Sequence, residues 1–277
     1  MRVLAPAKIN LRLEVHGRRG DGYHLLRSIM APISLADELT FTPGGAGLEL
    51  TCDDPHLPVN DDNLIVRAAQ ALMNETGRTM AWRIHLTKRI PTAAGLGGGS
   101  SDAAATLMAL RAAMNLALSD ERLAELAVQL GADVPFFLHR RACLAEGIGE
   151  ILSPYEVPAG LPITLIKPSQ GLSTPAVYRA LNFPLTLRRK LTNLPPSLGS
   201  REMVCAWLQN DLEGPAVSLL PQIEEGKRIL REAGAGGVLM SGSGPTVFGI
   251  FDTHPAAERA GESAKQQGFW AQPCSLM

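Results

Sequence analysis

The most informative stretch of this 277-residue chain is Pro91-Thr-Ala-Ala-Gly-Leu-Gly-Gly-Gly-Ser-Ser101, which is followed directly by Asp102-Ala-Ala-Ala. Four glycines within five residues leave bare backbone N–H groups before an alanine-rich helix, whose first turn is predicted to carry Asp102. Phosphate oxygens need several close donors and no side chain in the way, so the loop predicts an anion site. Ser100 and Ser101 add hydroxyls that could donate to phosphate or reach a metal ion; the plainer alternative is a turn in which Ser100 caps the helix.

The common nucleotide-binding patterns do not account for this loop. The only Gly-Lys pair, Gly226-Lys227, is followed by Arg228, so the P-loop pattern GxxxxGK[ST] is absent. The dinucleotide fingerprint GxGxxG fails because Ser100 stands where its third glycine belongs, and the HRD and DFG elements of protein kinases are missing. The sequence therefore predicts a phosphate cradle of another kind.

Composition and charge are those of an ordinary globular chain without an overall field for nucleic acid. Apolar residues make up 45% and charged residues 19%, and the length allows two modest domains. The 26 basic and 27 acidic residues give a net charge of −1, and aromatic residues, at 5%, are too scarce for a single-strand stacking platform. No nucleic-acid partner is therefore predicted, and no pattern sets an oligomeric state.

The cysteines and apolar runs indicate a reduced compartment away from membranes. The cysteines form no CxxC pair and have no histidine at zinc spacing, so all are predicted to be free thiols: Cys52, Cys143, Cys205 and Cys274. Lys8 and Arg12 interrupt the apolar run that a secretory leader would need, and no stretch approaches about eighteen uninterrupted apolar residues. We expect a cytoplasmic protein without a membrane segment.

Periodicity predicts strands and helices mixed through both halves of the chain. Residues 9–15 alternate strictly between apolar and polar, which predicts a half-buried strand with Arg12 and Glu14 solvated on its polar face. Asn63 and Gly131 are expected to cap two helices, and a Pro- and Gly-rich stretch at 152–161 indicates a boundary. Strands are also expected at 33–41, 47–52, 82–87, 163–167, 238–240 and 246–251, and helices at 63–74, 103–114, 119–130, 175–181, 201–207 and 223–233.

Several segments together resemble one known family. The loop at 91–101 resembles the glycine-serine motif of the GHMP kinases, named after galactose, homoserine, mevalonate and phosphomevalonate. Further segments, spread over most of the chain in the expected order, resemble the members that act on a diphosphocytidyl substrate: Ala5–Leu11, Asp21–His24, Asn63–Ala69, Leu130–Phe136 and Met240–Gly249. One departure is Ala93-Ala94, where many members carry further glycine; it should stiffen the loop without removing the donors nearest the phosphates.

The resemblance implies a two-domain α+β architecture. Residues 1–155 would form a ribosomal-protein-S5-like nucleotide-binding domain and residues 156–277 a ferredoxin-like domain, with ATP and substrate meeting in the cleft between them. The implied reaction moves the γ-phosphoryl group of ATP to the 2-hydroxyl of 4-diphosphocytidyl-2-C-methyl-D-erythritol, a step of non-mevalonate isoprenoid synthesis. Two alternatives stay open: another GHMP kinase, acting on homoserine or a mevalonate-like acid, and a non-catalytic nucleotide-binding module.

Two residues carry the implied catalysis. Asp133, in an otherwise apolar segment, is implied to accept the proton of the alcohol, an effect worth about 10²–10⁴-fold. Lys8, on the first strand, is implied to keep that carboxylate ionised and to stabilise charge on the oxygen. The plainer readings are a helix-capping aspartate and a solvated lysine.

The resemblance also implies two binding sets. ATP-binding residues would be Pro91, Thr92, Ala93, Ala94, Gly95, Leu96, Gly97, Gly98, Gly99, Ser100, Ser101, Lys88 and Asn63. Substrate-binding residues would be Asn10, Tyr23, His24, Tyr178 and Thr174, with the aromatic rings against the cytosine base. A late glycine loop, Gly242, Ser243 and Gly244, would close the site around the diphosphate. Each of three assignments has an alternative. Lys88 could be an exposed lysine at a strand end, and Tyr178 could be a core residue. The late loop could be a plain hairpin turn.

Magnesium is implied by the charge of ATP in any phosphoryl transfer. The sequence shows no carboxylate cluster that would form a dedicated protein cage, so the ion is expected mostly on phosphate oxygens and water.

Overall fold

The structure is a computed structural model that describes residues 1–79, 81–181 and 191–277. It contains two compact units, each built from several stretches of chain. The first unit comprises residues 1–7, 36–91 and 97–140, and the second comprises residues 8–35, 92–96 and 141–277. These units interleave along the sequence, whereas the division into 1–155 and 156–277 stays a prediction.

The first unit combines strands with a cluster of helices. Strands β1 (Arg2–Arg18) and β2 (His24–Pro43) continue from one unit into the other, because the unit boundaries fall at residues 7 and 35. The other elements are β3 (Leu48–Cys52), α1 (Leu64–Thr76), β4 (Trp82–Thr87), α2 (Gly98–Ala113), α3 (Asp120–Leu130) and α4 (Val134–His139). The end of β2 pairs antiparallel with β4, and β3 pairs parallel with β4. Helix α2 packs against α1, α3 and α4, because its alanines and leucines are buried.

The second unit contains the longer run of short elements. They are β5 (Cys143–Glu146), β6 (Ile151–Pro154), β7 (Pro162–Lys167), α5 (Thr174–Ala180), α6 (Arg201–Trp207), β8 (Gln209–Asn210), α7 (Glu213–Leu219), α8 (Gln222–Glu232), β9 (Gly237–Met240), β10 (Val247–Ile250), α9 (His254–Gln266) and β11 (Trp270–Ser275). A four-stranded antiparallel sheet has the order β11-β7-β10-β9 and carries α8 and α9. The predicted mixture of strands and helices is therefore present in each unit.

The first strand is buried on both faces, so the predicted half-buried strand is wrong. Every residue from Ala7 to Val15 is buried, including Arg12 and Glu14, which were expected in solvent. A nitrogen of Arg12 lies 2.8 Å from Glu14, and Arg27 contacts the other oxygen of Glu14 at 2.8 Å. Alternation shows which side chains share a face, but ion pairing allows a polar face to be buried.

Both predicted helix caps lie at the predicted residues, although the conformation of Gly131 is not the usual one. The side chain of Asn63 accepts a hydrogen bond from the Ile65 amide at 2.9 Å, so the predicted N-cap of α1 is confirmed. Gly131 ends α3 with φ 168°, which is extended rather than the left-handed conformation that makes glycine a favoured C-cap.

The cysteine prediction is confirmed, because all four side chains are free thiols. Across residues 1–79, 81–181 and 191–277, no helix combines the length and apolar character needed to cross a bilayer.

Candidate active site

The start of α2 presents backbone amides, as the glycine loop predicts. Gly97 precedes the helix with φ 71°, and the first intrahelical bond runs from the Ser101 amide to the Gly97 carbonyl at 2.9 Å. The amides of residues 98–100 thus lie ahead of the helical ladder at its positive end. Capping by Ser100 is wrong, since Gly97 occupies that position and no side chain of the described residues caps it. This end of α2 is chemically suited to phosphate oxygens.

Two residues after the glycines differ from their sequence-based roles. The Ser101 hydroxyl is buried and donates to the Pro6 carbonyl at 2.7 Å, so it holds the helix to the start of β1. Asp102 is the fifth residue of α2 and therefore lies beyond the first turn, where it was expected. Its carboxylate instead faces a buried lysine.

That lysine is Lys88, and the alternative of an exposed lysine at a strand end is wrong. Its side chain is 9% exposed, and its ammonium lies 2.5 Å from an oxygen of Asp37 and 3.3 Å from one of Asp102. The other oxygen of Asp37 accepts hydrogen bonds from the backbone amides of Arg89 and Ile90, at 2.6 and 2.9 Å. Asp37 therefore fixes the chain just before the glycine loop, while the ATP contact of Lys88 stays a prediction.

Burial and charge set the protonation of this cluster. Burial raises the pKa of Asp102 to about 7, although Lys88 lies beside it. Burial alone would lower the pKa of Lys88, but the charges of Asp102 and Asp37 outweigh it and raise the pKa. A Cβ atom added to Gly98 would lie 3.3 Å from the Lys88 ammonium, so this cation stands beside the first residue of α2. The Asp37 carboxylate compensates the charge of this ammonium, so the attraction for an anion at this end of α2 rests on the backbone amides.

In the second unit, the glycine loop contacts the late glycine loop. The Ser241 hydroxyl donates to the Gly95 carbonyl at 3.0 Å, and the Thr246 amide lies 3.4 Å from the Ala94 carbonyl. Gly95 has φ 74°, and a Cβ atom there would lie 2.3 Å from the Ser241 carbonyl oxygen. The late loop does turn between the antiparallel strands β9 and β10, and it also packs tightly on residues 94–95.

Lys8 and Asn10 form a buried pair against the late loop. The Lys8 ammonium donates to the Asn10 side-chain oxygen at 2.7 Å, and the Asn10 amide group donates to the Ser28 hydroxyl at 2.7 Å. The Asn10 backbone amide donates to the Ser241 hydroxyl at 3.3 Å. A Cβ atom on Gly242 would lie 3.3 Å from both the Lys8 nitrogen and the Asn10 oxygen. The solvated lysine is therefore wrong, because Lys8 is only 4% exposed.

Asp133 stands at the N-terminus of the short helix α4, in the first unit. Its side chain caps none of the amides in the described part of the helix, so the plain capping role is wrong. Its pairing with Lys8, which belongs to the second unit, stays a prediction.

The aromatic residues predicted to hold a base are partly assembled. The rings of His24 and Tyr178 stack with centroids 4.9 Å apart and an interplanar angle of 29°. Burial, followed by the charge of Arg18, lowers the pKa of His24 below its ordinary 6.5, so a neutral ring is favoured at pH 7. Tyr23 is 59% exposed. Tyr178 also packs partly on the core, as the alternative expected, while its contact with a base stays a prediction.

Two polar residues of these clusters, Ser28 and Asp37, were missed by the sequence analysis. Thr174, which was predicted, contacts the hydroxyl of Ser243 at 2.7 Å. Ser28 carried no signal, since a single serine in a strand is common. Asp37 did carry one, because it is a charge within the apolar run of β2 that could be buried only with partners. Among the described residues, no three His, Cys, Asp or Glu side chains converge on a metal position.

Comparison with known proteins places these features in a family context. The family model for the GHMP kinases N-terminal domain matches residues 63–141, and that for the GHMP kinases C-terminal domain matches residues 192–269. The chain is 46% identical to the 4-diphosphocytidyl-2-C-methyl-D-erythritol kinase of Geobacter sp. (strain M21) over 98% of this chain and 97% of that protein. It is 44% identical to the kinase of the same name from Citrifermentans bemidjiense, over 98% and 97% of the two chains.

A solved structure agrees with these sequence relatives. The crystal structure of a 4-(cytidine 5'-diphospho)-2C-methyl-D-erythritol kinase superposes with a TM-score of 0.84, at 40% identity, over 100% of this chain and 99% of that one. The similarity extends over the whole length of both chains, so it includes both glycine loops and the segments around Lys8 and Asp133.

Proposed function

Given that this chain belongs to the 4-diphosphocytidyl-2-C-methyl-D-erythritol kinases of the GHMP kinase family, we propose that it transfers the γ-phosphoryl group of ATP to the 2-hydroxyl of 4-diphosphocytidyl-2-C-methyl-D-erythritol. The product carries the new phosphate as an ester on that oxygen, and ADP leaves. This reaction is a step of non-mevalonate isoprenoid synthesis.

The observation that carries the proposal is the Lys8–Asn10 pair held against the two glycine loops. A kinase that phosphorylates an alcohol needs a cation near the accepting oxygen and amides near the phosphates. The 2.7 Å hydrogen bond from Lys8 to Asn10 orients that cation, and Asn10 is itself bonded to Ser28 and to the late loop. Hydrogen bonds within the protein therefore already orient the pair.

The phosphoryl transfer can be written with these residues. The 2-hydroxyl oxygen attacks the γ-phosphorus, the bond to the leaving ADP oxygen breaks, and the alcohol proton passes to Asp133. Lys8 assists this base and stabilises negative charge on the attacking oxygen. The amides at the start of α2 bind the triphosphate, with Lys88 beside them. Most of the rate enhancement then comes from position and electrostatics.

Substrate specificity is assigned to the aromatic stack. A cytosine base offers a flat ring and a polar edge, and the stacked rings of His24 and Tyr178 offer an aromatic surface with a neutral imidazole. Tyr23 is exposed next to His24 and would add a further ring when the base binds. Homoserine and mevalonate carry no base, so this surface favours the diphosphocytidyl substrate over those of the alternative GHMP kinases.

Several accompanying properties belong to the same proposal. Mg²⁺ neutralises phosphate charge when ATP binds, and since no protein cage is present among the described residues, it would be held mainly by phosphate oxygens and water. The partners are small molecules rather than nucleic acid, in keeping with a net charge of −1. We place the enzyme in the cytoplasm, where its four free thiols stay reduced.

The general base is tested by Asp133→Asn. Turnover should fall at least ~100-fold, or about 2.7 kcal/mol, while calorimetric ATP binding is retained. Asp120→Asn, the same change at a carboxylate whose side chain is 86% exposed, serves as the control and should be fully active. Lys8→Met combined with Asp133→Asn should lose little more than either alone, because residues that act on one proton are not additive.

Two results would end this proposal. Full turnover of the Asp133→Asn enzyme would contradict the role of Asp133 as general base. In a coupled assay against a panel of alcohols, turnover of homoserine or mevalonate without turnover of the diphosphocytidyl alcohol removes the substrate assignment.

A further inference from the structure

A short segment that runs from α6 into the first residue of α7, Gln209 to Glu213, is fixed to the part of β1 that lies in the second unit. Strand β8 pairs parallel with β1, with Leu13 opposite Asn210. The Asp211 amide donates to the Leu13 carbonyl at 3.0 Å, and the Asp211 carboxylate accepts from the Val15 amide at 2.9 Å. The segment therefore has a fixed position relative to the strand that carries Lys8 and Asn10.

The opposite side of this segment holds the late glycine loop through Asn210. The side-chain nitrogen of Asn210 donates to the carbonyls of Met240, at 2.8 Å, and Gly242, at 2.7 Å. Its side-chain oxygen accepts from the Leu212 amide at 2.9 Å. Asn210 is 8% exposed, so both donors and the acceptor are used within the protein. Only an amide offers two hydrogens and an oxygen in this geometry.

Glu213 holds the same loop from a second position. One carboxylate oxygen accepts from the Met240 amide at 2.9 Å, and the other pairs with the buried ammonium of Lys227. The Lys227 ammonium balances the charge of this carboxylate. Met240 is thus held by Glu213 at its amide and by Asn210 at its carbonyl.

The loop that is held in this way contacts the proposed catalytic pair on its other side. Gly242, with φ 57°, approaches Lys8 and Asn10 so closely that a Cβ atom would lie 3.3 Å from each. The carbonyl of Gly242 is bonded to Asn210. Gly242 therefore lies between a buried amide that fixes it and the cation that the reaction uses.

We propose that Asn210 and Glu213 are positioning residues for phosphoryl transfer, which set the late glycine loop so that Lys8 and Asn10 keep their reactive geometry. This inference rests on the proposed function. Neither side chain touches substrate in this account; both act through Met240 and Gly242. Their loss should thus impair the chemical step more than the binding of ATP, because the ATP-binding amides of α2 belong to the other unit.

Asn210→Asp tests the proposal with almost no change in shape. One oxygen of the new carboxylate still accepts a hydrogen bond from the Leu212 amide. The other oxygen, which has no hydrogen to donate, faces the carbonyl oxygens of Met240 and Gly242 and repels the late loop. We expect kcat to fall about tenfold or more, which corresponds to roughly 1.4 kcal/mol in the barrier, with the KM for ATP within about threefold. The ratio of variant to wild-type kcat should rise as pH is lowered, because the protonated carboxyl regains a donor.

The matched control is Thr164→Val. Thr164 is buried in the same unit, and its hydroxyl donates to the Ala257 carbonyl at 2.6 Å, so the control removes one buried side-chain bond to a carbonyl away from the loop. It should lower the melting temperature without changing kcat or the pH ratio. Glu213→Ala, which removes the second contact with the loop, should reproduce the kinetic split of Asn210→Asp and supplies the test if that variant does not fold.

Amide hydrogen exchange of residues 241–244 reads the loop without any assay of activity. Exchange there should accelerate in Asn210→Asp and stay unchanged in Thr164→Val. Unchanged exchange in Asn210→Asp, or accelerated exchange with wild-type kcat, overturns the positioning role. If the wild-type enzyme does not phosphorylate the diphosphocytidyl alcohol, the proposed function fails by itself, while the exchange result still decides whether Asn210 sets the loop.

Discussion

Gly95→Ala is the sharpest test of how the two glycine loops fit together. Gly95 combines two properties that a side chain would violate. Its φ of 74° lies in the left-handed region, and an added Cβ atom would be 2.3 Å from the Ser241 carbonyl oxygen and 3.1 Å from the Gly244 amide nitrogen. The colliding atoms are backbone, so no side-chain rotation can relieve the contact.

The expected loss of stability follows from these contacts. Holding an alanine in the left-handed conformation costs roughly 1–2 kcal/mol. Separating the two loops also breaks the bond from Ser241 to the Gly95 carbonyl and the bond from the Thr246 amide to the Ala94 carbonyl, each worth roughly 0.5–1.5 kcal/mol. Together these effects predict a loss of about 2–5 kcal/mol in the free energy of unfolding.

Gly268→Ala separates the two causes. Gly268 lies in the same unit with φ 84°, but an added Cβ atom would find nothing within 4 Å. This control therefore measures the conformational cost alone, which should be about 1–2 kcal/mol. Urea unfolding of the wild type and of both variants, followed by circular dichroism, gives the comparison.

The difference between the two variants is the decisive quantity. Gly95→Ala should be less stable than Gly268→Ala by at least about 1 kcal/mol, since it alone loses bonds between the loops. Its kinase turnover should fall as well, because the shifted loops carry the Lys8–Asn10 pair with them. Equal stabilities for the two variants would refute the close approach of Gly95 to the late loop.

Two further predictions concern Glu14 and the aromatic stack. Burial would raise the pKa of Glu14, but hydrogen bonds from Arg12 and Arg27 outweigh it and lower the pKa from 4.5 to about 2. The resulting stability is present above pH 4.5 and is lost as pH falls toward 2, so acid unfolding of Glu14→Gln should depend less on pH there; an unchanged slope contradicts this. Tyr178→Ala should raise the KM for the diphosphocytidyl alcohol at least about fivefold and leave the KM for ATP unchanged, whereas Tyr178→Phe, which keeps the ring beside His24, should resemble wild type; equal effects would remove the stacking role.

Local patterns were sufficient for most elements of the fold. The helix that begins after Asn63, the strand at 82–87 and the glycine-started helix α2 all follow from capping chemistry and periodicity within a few residues. The glycine loop also indicated phosphate chemistry, because that conclusion needs only bare amides before a helix. Such features depend on neighbours in sequence, which a single chain displays directly.

Burial and long-range partners were not predictable in the same way. Arg12 and Glu14 were predicted to be solvated because no local pattern indicates that Arg27 pairs with Glu14. The ion pair of Lys88 was not predictable because its partner Asp37 lies 51 residues away. A charged residue in an apolar run is a sign that such a partner exists, but the sequence does not say which residue it is.

The glycines show how one sequence signal can have two physical causes. Gly97 to Gly99 leave amides for an anion, and that role was visible from the loop alone. Gly95 and Gly242 are needed for a different reason, which is lack of space. A Cβ atom on Gly95 would collide with the late loop, and one on Gly242 would lie tightly against the Lys8 ammonium. Glycine is therefore required at position 242 because the two loops pack closely, whether or not a ligand is bound. Gly95 and Ser241 are 146 residues apart in sequence, yet they are in direct contact. A substitution in either loop should therefore shift the other loop and the Lys8 side chain.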